Sequence, residues 1–98
     1  MPRHTTISLQ GDETWTQLTA GDATAATFQV INDVYNSGCL IQCTATGTAP
    51  TSDDGAIRIF QRDRAINEDL ADLFPGLTSP VRLWAKGGAH VRVAVSHA

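Results

Sequence analysis

Ninety-eight residues make one domain with a single hydrophobic core, and a chain this short leaves roughly a third of its unfolded surface wet after folding. Charged residues are only 17% of the chain and the net charge is −3, with seven scattered Lys and Arg, which argues against a phosphate-tracking DNA or RNA binder. The shortage of charge predicts that part of the surface is covered by other protein.

No basic start leads into an apolar run, and no apolar stretch reaches about 18 residues, so neither a secretory signal nor a membrane span is expected and the chain reads as cytoplasmically made. Residues 1–5 are polar and contain Pro2, which predicts a flexible N-terminal arm before a first strand at 6–10. Gly11, Asp12 and Glu13 break that strand, and 14–18 alternates again with Trp15 as a core candidate. After a turn at 20–22, β-branched and aromatic residues collect in 23–32, where Phe28 and Val30 share the inward face. Residues 32–38 hold Asn, Asp, Ser and Gly, side chains that fold back on their own backbone, and form a loop around Val34 and Tyr35.

From 39 to 46 a strand places Cys39, Ile41 and Cys43 on one face. Its extended rise separates the two cysteines by about 13 Å, beyond the roughly 7 Å a disulfide spans, so both read as small buried hydrophobes. The 47–56 stretch is a surface loop ending in an Asp54-Gly55 turn, followed by a strand at Ile57 and Ile59. Helical spacing occurs once, in Leu70, Leu73 and Phe74, with Asn67 as the expected cap, and Pro75-Gly76 ends it after about one turn.

The last stretch, 81–96, alternates strictly on both sides of Gly87-Gly88 and predicts a hairpin with a tight glycine turn. Val81, Leu83 and Ala85 with Val91, Val93 and Val95 form its apolar face. Its other face carries Arg82, Trp84, Lys86, His90 and Arg92, a combination resembling a protein-binding hot spot. Trp84 has two readings, anchor of an interface or ordinary core. The whole pattern is that of an all-β single domain spanning 1–98: a small antiparallel β-sandwich or jelly-roll-like barrel with one short helical turn.

No catalytic or metal constellation is visible. There is no G-x-S-x-G, the histidines sit at His4, His90 and His97, and Asp53-Asp54 lacks calcium-loop spacing. No cofactor, metal or catalytic residue is assigned, and the expectation is that the protein is not an enzyme.

Taken in order, TWTQLTAGDATAATFQVIN, TGTAPTSDDGAIRI, DLFPG and RLWAKGGAHVRVAVSHA resemble the small β-rich virion proteins of tailed bacteriophages. The Cys39–Cys43 strand departs from that pattern. The resemblance implies a capsid decoration or cement protein, a homotrimer on the outer capsid surface bound to the major capsid protein. A tail-tip or fibre subunit that binds a receptor or glycan is the alternative it implies.

Overall fold

The computed structural model describes residues 2–98. Eight strands and one helical turn follow in order: β1 (Arg3–Ser8), β2 (Thr16–Gln17), β3 (Ala25–Asn32), β4 (Cys39–Thr44), β5 (Ile57–Ile59), β6 (Arg64–Asp69), α1 (Leu70–Leu73), β7 (Arg82–Gly87) and β8 (Arg92–His97). They form two four-stranded antiparallel sheets, ordered β1-β8-β3-β6 and β2-β7-β4-β5. The pairs β1·β8, β2·β7, β3·β6 and β4·β5 are those made by doubling the chain back on itself at the β4–β5 connection. Ladders β3·β8 and β4·β7 then join the doubled ribbons, which is the jelly-roll order. The expected fold class is therefore observed.

Period-two alternation builds the core. Ala26, Phe28 and Val30 of β3, Cys39, Ile41 and Cys43 of β4, Leu83 and Ala85 of β7, and Val93 and Val95 of β8 all point between the sheets and are buried. Burial lifts both thiols to a pKa of about 12, so neither forms a thiolate near neutrality. Leu70 of α1 and Phe74, which caps its C-terminus, join the same core.

Four expectations are corrected. Residues 3–5 of the expected arm belong to β1, paired from Arg3↔His97 to Ser8↔Arg92, and the Arg3 guanidinium donates to the Leu18 carbonyl at 3.0 Å; Met1 lies outside the described residues. The terminal hairpin does not form, because β7 and β8 lie in different sheets and the chain crosses the sandwich between them. Neither Gly87 nor Gly88 takes a positive φ. Gly87 is needed for close approach, since a Cβ there would sit 2.9 Å from Cys39 Cβ and 3.1 Å from Leu9 Cδ1. Asn67 is no helix cap: it sits at φ 45° in β6 beside a register shift opposite Thr27, whose Oγ1 accepts its N–H at 2.8 Å. Trp15 is half-buried rather than core, with the Lys86 ammonium 5.2 Å from its ring centroid.

Because neighbouring strands run antiparallel, loops 9–15, 33–38, 60–63 and 88–91 share one end of the sandwich, and 18–24, 45–56 and 70–81 share the other. Gly87→Ala should lower unfolding free energy in urea by about 1–3 kcal/mol through overpacking. Gly76→Ala, whose added Cβ meets nothing within 4 Å, should leave it within about 0.5 kcal/mol.

Candidate functional site

The five residues expected to share one face occupy three places. Arg82, Trp84 and Lys86 project from the outer side of β7, His90 sits in the corner between the sheets, and Arg92 opens β8 on the outer side of the other sheet. Trp84 is only 6% exposed, yet it lies outside the intersheet core. It is flanked in register by Gln17 and Gln42, and its indole N–H donates to Thr44 Oγ1 at 2.8 Å. The 45–56 loop is drawn over this face by the Gln42 amide, which donates to the Asp54 carbonyl at 3.1 Å, and by the Lys86–Asp53 ion pair. Arg82 is held in turn by Asp22 at 2.7 Å and Gln17 at 3.3 Å. Trp84 thus settles as a third packing layer, neither intersheet core nor open interface.

The residues the structure does bring together lie at the 33–38 loop. Asp33 is fully buried and accepts from the Gly38 N–H at 2.7 Å and the Ser37 N–H at 3.2 Å. Burial alone would raise its carboxyl pKa, but those two N–H groups and then His90 outweigh it and hold the carboxyl below its ordinary value. Gly38, at φ 77°, completes the turn where a Cβ would collide with the Ile59 carbonyl at 2.7 Å. His90 Nε2 lies 2.9 Å from Asp33 Oδ1 and 3.1 Å from Ser37 Oγ, and its ring meets Tyr35 edge-on at 4.8 Å between centroids.

Ser, His and Asp are therefore in contact, but both partners face the same imidazole nitrogen. A relay that activates a nucleophile needs the acid on one nitrogen and the serine on the other. The geometry fixes a loop instead. Among the described residues no group of three or more His, Cys, Asp or Glu stands close enough to hold a metal. The chain matches no family model, no curated protein and no solved structure.

What the anchored loop presents is apolar: Val34 is 69% and Tyr35 75% exposed, with Phe60 and Ile31 exposed at the same end. Around them stand Arg58, Arg62, Arg64 and Arg92, all exposed and none within ion-pair distance of a carboxylate among the described residues. Arg58 Nη1 donates to the Ser37 carbonyl at 3.1 Å, tying β5 to the loop. Asp12 and Glu13 lie on the 9–15 loop, beside Lys86 and Gly88. Asp63 accepts the Phe60 N–H at 2.8 Å. Sequence reasoning missed this end; its signal was the run Asn32-Asp33 to Asn36-Ser37-Gly38, which marks an Asx-type turn without saying what the turn displays.

Two measurements check this assignment. Trp84→Ala should destabilise the fold by about 3–5 kcal/mol, read by urea unfolding, as removal of a buried indole does. Asp33→Asn should cost about 1–3 kcal/mol at pH 7. Because the folded-state pKa is depressed, the charge of Asp33 stabilises fully above its ordinary value of 3.8 and ceases to as pH falls through the folded value. The gap between wild type and variant should accordingly close as the pH is lowered below 3.8.

Proposed function

We propose that the protein is a non-catalytic assembly subunit, a capsid decoration protein that binds the outer surface of a phage head and is stabilised by being locked among protein neighbours. The observation that carries the docking part is the 33–38 loop end, where Val34 and Tyr35 are held out on a buried carboxylate anchor among exposed charges of both signs, Arg58 with Asp12 and Glu13. Tyr and Arg are the residues most enriched at binding hot spots, and a loop fixed before contact loses little entropy when it docks. Apolar surface kept exposed in this way is the mark of a protein-contact site. Any partner that binds only the folded chain also adds to its stability.

The capsid setting rests on the resemblance to small virion proteins. In that setting the subunit forms a homotrimer, contacts the major capsid protein and strengthens the shell, with no cofactor and no chemistry. A second reading, a tail-tip or fibre subunit recognising a receptor or glycan, is favoured by the adjacent exposed Tyr35 and Asn36, an aromatic face beside an amide.

Stoichiometry separates the readings. Particles purified from the phage whose genome carries the gene should contain the chain in amounts comparable with the major capsid protein. A few copies travelling with isolated tails would replace the head by the tail, and absence from particles would remove both.

A further inference from the structure

The sandwich has open edges at β1 and β6 in one sheet and at β2 and β5 in the other, and an open edge is a row of backbone donors and acceptors that another strand can join. Three of these edges are blunted. β2 has only two residues, and β5 has three with Arg58 in the middle. β6 is six residues long, but it bulges opposite Thr27, holds Asn67 at φ 45°, and carries Arg64, Glu68 and Asp69. β1 is equally long and has none of these devices. It pairs with β8 from Arg3 to Ser8 without a register shift, and from His4 to Ser8 it contains no Lys, Arg, Asp, Glu, Gly or Pro.

The ladder fixes which groups this edge offers. The Leu9 N–H donates to the Val91 carbonyl at 3.0 Å, so Leu9 and, by the alternation of an antiparallel pair, Ile7, Thr5 and Arg3 use their backbone groups on the β8 side. The N–H and C=O of His4, Thr6 and Ser8 therefore point away from β8, and all three residues are exposed. Thr5 and Ile7 turn their side chains to the inner side of the sheet, where Ile7 packs on the core and Thr5 is still exposed.

We infer that β1 pairs antiparallel with β1 of a second copy about a two-fold axis through Thr6, joining two four-stranded sheets into one continuous sheet across a dimer. The inference stands apart from the 33–38 loop end, which the contact leaves uncovered.

Symmetry selects a second copy as the occupant. The outward backbone groups are spaced evenly about Thr6, so the edge is its own complement: His4 faces Ser8 of the other copy and Thr6 faces Thr6, each pair exchanging two backbone bonds. No other antiparallel register engages all three residues of both copies. Between those pairs Thr5 meets Ile7 of the other copy at the close, non-hydrogen-bonded spacing, so two β-branched pairs carry the intersheet core across the axis. Arg3, the one Lys, Arg, Asp or Glu of β1, falls beside Leu9 of the other copy and about 20 Å from the other Arg3, at roughly 3.3 Å per residue. No like charges are brought face to face.

The test uses the full chain alone, by sedimentation velocity over a range of protein concentrations, with circular dichroism as the check on folding. Wild type should show a reversible monomer–dimer equilibrium with a dissociation constant between about 1 μM and 1 mM, since a single strand pair is a small interface. Thr6→Pro removes an N–H that the β1·β8 ladder does not use, so the chain should fold as before and dimerise at least about tenfold more weakly. Thr6→Lys and Thr6→Glu each set like charges opposite one another on the axis; either alone should weaken the dimer to a similar extent, and the two mixed should pair with each other in preference to themselves. That preference is specific to a contact in which residue 6 meets its own copy, and it decides the matter should Thr6→Pro not fold. A wild-type chain that stays monomeric up to about 1 mM, an oligomer left intact by Thr6→Pro and Thr6→Lys, or a mixture of the Thr6→Lys and Thr6→Glu chains that fails to pair would overturn the inference.

Discussion

The corner at Gly87–Gly88 is the constraint on which the rest depends. There the chain leaves the β2-β7-β4-β5 sheet and enters β8 at the heart of the other one, and it does so with β7 close enough to Cys39 that a methyl group would not fit. The turn is closed by the Val91 N–H donating to the Gly88 carbonyl at 3.0 Å, and the Leu9 N–H reaches the Val91 carbonyl at 3.0 Å, which fastens the β1–β2 loop to the same corner. Because β8 lies between β1 and β3, and β7 between β2 and β4, this one crossing fixes the spacing of the two sheets. It also positions His90 against Asp33, and thereby the loop that carries Val34 and Tyr35.

Which face of each strand is buried could be read from the chain, because alternation is a local property. Phe28 and Val30, Ile41 with its two cysteines, Leu83 and Ala85, and Val93 and Val95 all lie where period two places them. Which strands are partners could not, because in a jelly roll only β4 and β5 are both consecutive and paired. The 81–96 stretch has everything a hairpin requires locally, and the competing pairings β7·β4 and β8·β3 win because each gives a central strand two ladders in place of one. The same non-local ladder draws Arg3–Thr5 out of an arm into β1. Asn67 was misplaced for a related reason: an amide side chain that tolerates positive φ suits a bulge as well as a cap, and only pairing with β3 decides between them.

Trp84 shows how far an alternation argument reaches for a functional residue. It does point to the outer side of its sheet, as period two dictates, but the 45–56 loop covers that side with a layer fixed by Asp53 and Asp54. A loop rich in Gly, Pro, Ser, Thr and Asp looks solvated from its composition, and here it spends part of its polarity on holding an indole out of water. Conversely, Val34 and Tyr35 look like passengers in a polar turn, and the turn leaves both exposed while the Asp33 carboxylate accepts from the Ser37 and Gly38 N–H groups and holds it in shape.

Displaying that pair has an energetic consequence that bears on assembly. The left-handed backbone of the 33–38 loop, with Asn36 at φ 49° and Gly38 at 77°, is held within the folded chain by Asp33 and His90. The ordering cost of the loop is therefore met on folding and does not recur on contact. A partner that covered this end would have only to displace water from Val34 and Tyr35, both of them already held in place.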